Sequence, residues 1–106
     1  MSGSQKFIVS GSARKIQSFP ANGSKRAFAI VSIPTSEKYK DSNGQKVEKT
    51  EWHNVKFFNG LADTVINHLK ENQMISVEAK LKTKNIGTDE DPNYVTDIVA
   101  DSFNWL

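Results

Sequence analysis

The chain has 106 residues, 37% hydrophobic and 25% charged, which predicts one folded domain over residues 1–106 and no second domain. It contains no cysteine, so disulfides, thiolate zinc sites and thiol nucleophiles are excluded. No apolar run is long enough for a signal peptide or a membrane span, so we expect a soluble, cytoplasmic protein without membrane association.

The net charge of +2 is unevenly distributed along the chain. The first 60 residues carry ten basic and four acidic side chains, whereas the remaining residues carry four and eight. A basic part of this kind is typical of a face that binds a polyanion. On charge alone, uneven decoration of a solvated surface is the commoner explanation.

The first half of the chain predicts two strands. Residues 6–12, "KFIVSGS", form the first, which can continue past a bend at Gly11 toward Ile16. Asn22-Gly23 predicts a hairpin turn before the second strand, "RAFAIVSIP", which is apolar on both faces. Pro34 should end regular pairing or mark a bulge. The polar segment "TSEKYKDSNGQKVEK" then predicts a long protruding hairpin loop.

The third predicted strand, within "TEWHNVKFFNGLADTV", has an unusual pattern of alternate side chains. Successive residues of a strand point to opposite faces. One face would therefore carry Trp52, Asn54, Lys56 and Phe58, and the other His53, Val55 and Phe57. Two aromatic rings and a cation on one face fit neither a core nor an ordinary solvent-facing surface.

One helix and two strands complete the predicted elements. Apolar residues recur at helical spacing over residues 61–70, with Asn72 near the helix end. "MISVEAKLKTK" alternates regularly, which predicts that Ile75, Val77, Ala79, Leu81 and Thr83 face inward and that the lysines face water. Residues 94–101, "YVTDIVAD", form the closing strand.

The order of these elements predicts an all-β fold, a five-stranded OB-fold barrel with one α-helix between strands 3 and 4. An SH3-like barrel would leave the helix without a packing role, and an α+β sandwich remains an alternative.

Catalytic and metal-binding patterns are not found in the sequence. His53 and His68 lack the spacing of a metal pair, and the acidic run at residues 89–91 lacks the ligand periodicity of a calcium loop. No nucleophile elbow or phosphate-binding glycine loop is present. We therefore expect neither enzyme activity nor a cofactor nor a metal.

The aromatic and basic face of the third strand instead indicates nucleic-acid binding. A projecting Trp or Phe can stack on any base, at about 1–3 kcal/mol per base, and a neighbouring Lys attracts phosphates. Alternate residues lie about 6.6 Å apart, so Trp52 and Phe58 can contact different bases with Lys56 between them. Each aromatic side chain, taken alone, could equally pack under a loop or in a subunit interface.

Residues 36–63, "SEKYKDSNGQKVEKTEWHNVKFFNGLAD", closely resemble the bacterial single-stranded DNA-binding protein (SSB) family. The shared pattern is an S-E-x-aromatic-basic-D stretch, a glycine-bearing hairpin, T-E-W-H, and a hydrophobic run ending in Phe. "VEAKLKTKN" and "YVTDIVAD" resemble the later family strands, whereas matching is weak before Ser32.

The resemblance implies which residues contact DNA. The family's stacking aromatics correspond to Tyr39, Trp52 and Phe58, and a further stacking Trp corresponds to Ile86, which has no π-face. Lysines along the path would contact phosphates, without the bidentate geometry that the family's arginines provide at two positions. The lysines are Lys38, Lys40, Lys49, Lys56, Lys82 and Lys84.

The resemblance also implies a homotetramer, with a dimer as the alternative. His53 is expected in a subunit interface or the core, and Tyr94 in an interface or against DNA. The chain ends at "SFNWL", without the glycine-rich linker and acidic tip that recruit replication and repair enzymes in the family. It is therefore expected to coat DNA without recruiting partners through such a tip, as a short variant or a chain whose tail was removed.

Together these features predict sequence-independent binding and protection of single-stranded DNA during replication, repair or recombination. An alternative is an OB-fold accessory resembling primosomal replication proteins, which acts mainly through protein contacts. An RNA-binding, cold-shock-like role fits the helix and the T-E-W-H block less well.

Overall fold

The computed structural model of the protein describes residues 6–106, so the first five residues of the predicted domain lie outside it. Six strands and one helix follow in chain order: β1 (Phe7–Ser12), β2 (Arg14–Phe19), β3 (Phe28–Lys40), β4 (Lys46–Phe58), α1 (Asn59–His68), β5 (Met74–Asn85) and β6 (Tyr94–Trp105).

The strands form a barrel because β1 and β2 are two halves of one bent strand, separated by Ala13 alone. The sheet order is β1-β5-β6-β4-β3-β2, in which β1 pairs with β5 and β2 pairs with β3, both antiparallel. The pairing between β4 and β6 is parallel. With β1 and β2 counted as one strand, the helix lies between strands 3 and 4, which confirms the predicted OB-fold topology.

The bend between β1 and β2 lies at residues 13–15, not at Gly11 as the sequence suggested. Gly11 instead lies within β1, where the chain passes very close to β3. A Cβ atom at Gly11 would be 2.9 Å from Cγ2 of Ile33 and 3.0 Å from the carbonyl oxygen of Pro34. Glycine is therefore required here for close approach of two strands.

The core fills the barrel interior with buried residues from the helix and from every strand except β2, whose Ile16 packs against it partly buried. Ala62 and Val65 of α1 are fully buried, so the apolar side of the helix closes one part of the barrel. Phe57 is the largest fully buried side chain and contacts the Phe103 ring edge-on, with centroids 5.5 Å apart. The buried hydrophobic residues are Val9, Ala13, Ala27, Ala29, Val31, Ile33, Val55, Phe57, Ala62, Val65, Leu69, Ile75, Val77, Ala79 and Ala100.

Strand β3 does not end at Pro34, which corrects the prediction for this proline. Pro34 lies opposite Trp52 in an unbroken register between β3 and β4. The pairing between β2 and β3, by contrast, ends at Ser32. The missing N–H of Pro34 therefore falls on an edge that β2 does not pair with, where proline is tolerated.

The predicted hairpin loop is mostly a two-stranded ribbon, because regular pairing extends to Lys40 and Lys46 and leaves only residues 41–45 as the turn. Oδ1 of Asp41 accepts hydrogen bonds from the backbone N–H groups of Asn43 and Gln45, each 2.9 Å long. Gly44 has a φ of +78°, a conformation that glycine adopts without strain. The side chains of this segment are polar because both faces of the ribbon are exposed to solvent.

The last two strands are longer than predicted. Strand β6 reaches Trp105, so the segment "SFNWL" continues the barrel strand and does not lie beyond the barrel. Leu81 and Thr83 are exposed, although both were expected to face inward. Both residues lie where β5 and β6 extend past the core, so their side chains have no buried residues to pack against.

Candidate nucleic-acid interface

The alternation predicted for β4 is confirmed by burial. Val55 and Phe57 are completely buried, whereas Trp52 is 51% and Phe58 44% exposed. Because β3 and β4 pair directly residue by residue, their even-numbered side chains share one side and their odd-numbered side chains the other. The even-numbered side of these two strands is called the outer face below.

A groove of about 420 Å³ opens on the outer face beside Trp52. It lies where β4 and β6 pair at only two positions, Val55 with Ile98 and Lys56 with Val99. In its wall, the hydroxyl of the buried Ser32 donates a 2.6 Å hydrogen bond to Oδ1 of Asn54. The lining residues are Gln17, Ile30, Ser32, Trp52, His53, Asn54, Lys56, Thr96, Asp97 and Ile98.

Lys56 is not a free cation in this groove. Its Nζ atom donates a 3.0 Å hydrogen bond to Oδ1 of Asp97, and Lys84 lies 3.3 Å from the other carboxylate oxygen. The hydrogen bond from Lys56, with a smaller contribution from Lys84, lowers the pKa of Asp97 below its ordinary value. The aspartate is therefore ionised at neutral pH, and the three groups carry one net positive charge.

Trp52 has a cation above its ring. Nζ of Lys15 lies 4.8 Å from the Trp52 ring centroid, within the range of a cation–π contact. Lys15 has a φ of +49°. The carboxylate of Glu71 accepts hydrogen bonds from the backbone N–H groups of Lys15 and Ile16, at 3.2 and 2.9 Å. Glu71 thus holds the bend that brings Lys15 over the indole.

Phe58 belongs to a row of three rings across neighbouring strands. Phe19, Phe28 and Phe58 are direct cross-strand partners on β2, β3 and β4. The ring centroids are 5.6 Å apart for Phe19 and Phe28 and 5.0 Å apart for Phe28 and Phe58, with interplanar angles of 24° and 34°. We call these three residues the aromatic row.

The β3–β4 ribbon divides the predicted contact residues between its two faces. Lys38 and Lys40 are even-numbered and lie on the same side as Trp52, whereas Tyr39 and Lys49 lie on the other. Tyr39 is 49% exposed beside a depression of about 520 Å³, which Lys38, Lys40 and Lys46 help to line. Lys49 pairs with Glu51 at 3.4 Å. Tyr39 and Trp52 therefore do not share one flat surface.

The remaining predicted contacts lie on the β5–β6 hairpin. Lys82 faces Asp97 across the strands, and Lys84 contacts the same aspartate. Ile86 and Tyr94 lie near the end of this hairpin, 58% and 66% exposed. Lys82 and Lys84 therefore lie close to the groove, because Asp97 is one of its lining residues. Ile86 and Tyr94 lie farther along the hairpin.

His53 has partners within its own chain. Its Nε2 atom lies 3.0 Å from the hydroxyl oxygen of Thr35, and its ring meets the Phe7 ring edge-on at 5.6 Å. Within residues 6–106, no cluster of three or more His, Asp or Glu side chains is arranged to hold a metal ion. Over the same residues, no helix has the length and apolarity to cross a membrane.

Several residues of this surface were missed by sequence reasoning. Asp97 and Phe28 could have been found from strand alternation, since each lies on the outward side of its strand. Lys15 gave no usable signal, because its position depends on a positive φ and on the distant Glu71. Phe19 could be placed only once the register between β2 and β3 was known.

Comparisons with known sequences agree on one family. The model described as "Single-strand binding protein family" matches residues 5–106. Single-stranded DNA-binding protein 1 of Xylella fastidiosa strain 9a5c is 44% identical over 79 residues, which cover 72% of this chain and 57% of that protein. A Neisseria meningitidis single-stranded DNA-binding protein is 36% identical over 81 residues, covering 76% and 47%. The chain spans about half the length of these curated relatives.

Solved structures show the same fold at low sequence identity. A chain from a Plasmodium falciparum SSB complex with ssDNA superposes with a TM-score of 0.80 at 20% identity, covering all of this chain and 97% of the other. The small single-stranded DNA-binding protein of Streptomyces coelicolor gives a TM-score of 0.67 at 13% identity, with 98% and 95% coverage. At these identities the likeness supports the OB-fold barrel and nothing finer.

Proposed function

Because this chain belongs to the single-strand binding protein family, we propose that it binds single-stranded DNA without sequence preference. It would protect strands exposed during replication, repair or recombination. The observation that carries this proposal is the outer face of β4, where exposed Trp52 and Phe58 alternate with Lys56 beside a groove. Base stacking on aromatic side chains is independent of sequence, since every base has a π-face.

The proposed path for DNA begins at the groove, with one base stacked on Trp52 and another on Phe58. These residues are six positions apart on one strand, so about 20 Å separates them. Lys38 and Lys40 lie on the same side of the ribbon and would contact phosphates there. Tyr39 and Lys49 would contact DNA that passes around to the opposite face of the ribbon, and Ile86 would supply a contact without aromatic stacking.

The cations around the groove should make binding strongly dependent on salt. Each phosphate that a lysine neutralises releases counterions, which gives a slope of about −0.7 in a plot of log K against log salt for single strands. Lys56 and Lys84 are paired with Asp97, and in the complex they would exchange this aspartate for phosphate. Lys82, which lies opposite Asp97 on the neighbouring strand, would contact phosphate directly. The role is binding and not catalysis, and it requires no cofactor.

We further propose that the chain acts as a single domain in the cytoplasm and assembles as a homotetramer. The largely exposed Tyr94 would be an interface residue, whereas His53, whose partners lie within the chain, would support the interface from behind. Light scattering should give the mass of four chains. A monomer at micromolar concentration would contradict the tetramer without affecting the DNA-binding proposal.

The direct test measures anisotropy of a labelled oligo-dT, a mixed-sequence single strand, a single-stranded RNA and a DNA duplex, all of equal length. We expect similar affinity for both DNA single strands and much weaker binding of the duplex. Equal affinity for duplex and single strand would contradict the proposal, as would a clear preference for RNA.

A further inference from the structure

We infer that the aromatic row extends the stacking surface sideways from Phe58, so that Phe19 on β2 supplies an additional platform for a DNA base. This inference rests on the proposed function and adds a contact that neither the T-E-W-H motif nor the alternation on β4 identifies. The DNA would cross β3 and β2 after leaving β4, and would not simply continue along one strand.

The geometry of the row leaves two ring surfaces available. Phe28 is half-buried between its neighbours and has a ring on each side. Phe19 and Phe58 each contact Phe28 on one side only, and they remain 49% and 44% exposed. Aromatic rings at these separations, one pair stacked and the other tilted, attract one another. Phe28 therefore acts as a positioning residue, because its ring contacts both outer rings and fixes their orientation.

A purely structural role accounts less well for this exposure. Cross-strand aromatic pairs stabilise sheets, which accounts for the contacts with Phe28 but not for the exposed surface of the two outer rings. Here Phe19 and Phe58 lie partly uncovered on either side of the Phe28 ring, on the same side of the barrel as Trp52. Contiguous exposed apolar surface of this kind typically marks a binding site.

The charge around the row favours a nucleic acid over a protein partner. The turn that connects Phe19 to Phe28 carries Lys25 and Arg26, both exposed, and neither forms an ion pair with any residue in the range 6–106. Aromatic rings beside unpaired cations suit bases joined by phosphates. The row is also continuous with the proposed DNA path through Phe58.

The test is an oligo-dT length series of about 4 to 16 nucleotides, the usual range of site sizes for OB folds. The parent chain is compared with Phe19→Ala, Phe19→Leu and Phe19→Tyr. We expect the Ala and Leu variants to bind the longest oligomers about 5- to 150-fold more weakly, a range that corresponds to the loss of one stacked base. Binding of the shortest oligomers, which are held at Trp52, should be unchanged. Phe19→Tyr retains the ring and should bind all lengths like the parent.

The outcomes separate this inference from the proposed function. If the parent binds and all three variants match it at every length, the inference is wrong and the proposed function stands. A parent that binds no oligomer overturns both. If the Ala variant unfolds, the Leu and Tyr variants still test whether Phe19 stacks on a base, because both preserve apolar bulk at this position. A Leu variant that changes the oligomeric mass in light scattering, but leaves DNA binding intact, would assign the row to a contact between copies of the chain.

Discussion

The two sides of strand β4 differ strongly in burial. On the inner side, Val55 and Phe57 are inaccessible to solvent and contact the core. On the outer side of the same strand, Trp52 and Phe58 are about half exposed. Adjacent positions on one strand, such as Phe57 and Phe58, therefore have opposite environments.

This difference predicts that stability and DNA binding depend on separate residues of one strand. The period of two along a strand keeps the two sets of side chains apart. A change on the inner side should alter the free energy of unfolding, and a change on the outer side should alter affinity for DNA. The predictions below test that separation, beginning with the largest effect.

The largest effect is expected from Phe57→Ala. Removing a fully buried phenyl ring should lower the free energy of unfolding by about 3–5 kcal/mol, because the loss of buried surface and the resulting cavity both contribute. Urea denaturation measures this. The matched control is Phe58→Ala, which should cost clearly less because Phe58 is 44% exposed; its contact with the Phe28 ring is worth about 0.5–1.5 kcal/mol beyond the surface that it buries. Equal costs at the two positions would show that the sides of β4 are not distinct.

Trp52→Ala should show the opposite behaviour. We expect a loss of about 1–3 kcal/mol in affinity for oligo-dT, because one stacked base is lost, with little change in the urea midpoint. Trp105→Phe is the control, since Trp105 lies at the end of β6, near Phe103, and not in the groove. If the Ala variant is folded and binds like the parent, the indole is not a platform for bases.

Asp97→Asn should strengthen the binding of DNA. Removing this carboxylate frees Lys56 and Lys84 from their ion pairs, so the groove gains positive charge. The salt dependence should become steeper by about 0.7 in the log–log slope, whereas Lys56→Ala should make it shallower by about the same amount. Isothermal titration over a range of salt concentrations measures both. Identical slopes in the parent and both variants would remove these groups from the DNA path.

Lys15→Ala should have the smallest effect. An exposed cation–π contact is worth about 0.5–1 kcal/mol, so the affinity for DNA should change by less than about fivefold. The emission of Trp52 in the free protein should shift when the ammonium is removed, and this difference should disappear in the DNA complex, where a base covers the ring. A difference that persists at saturation would mean that Lys15 stays over Trp52 when DNA is bound.

Much of the barrel could be predicted because its signals are local. The alternation of β4, the helical spacing before His68 and the Asn22-Gly23 turn each follow from a few neighbouring residues. Trp52, Lys56 and Phe58 could be assigned to one surface from alternation alone, without knowing which strands pair with β4. The family motif then added Tyr39 and the lysines, whose role in binding remains a prediction.

The parts that were missed depend on contacts between distant segments. Whether Pro34 ends a strand depends on where β2 stops pairing, and the position of the bend depends on Glu71, more than fifty residues away. The ion pair between Lys56 and Asp97 likewise requires the parallel pairing of β4 with β6. Local patterns contain no information about such registers.

The central claim is that the outer face of β4 stacks on unpaired bases. Its most direct test uses the Trp105→Phe variant, in which Trp52 is the sole tryptophan. This variant is titrated with oligo-dT while tryptophan emission and the anisotropy of a labelled oligomer are recorded together. The account predicts that Trp52 emission is quenched in proportion to the bound fraction. Binding that saturates in anisotropy while Trp52 emission stays unchanged would contradict it.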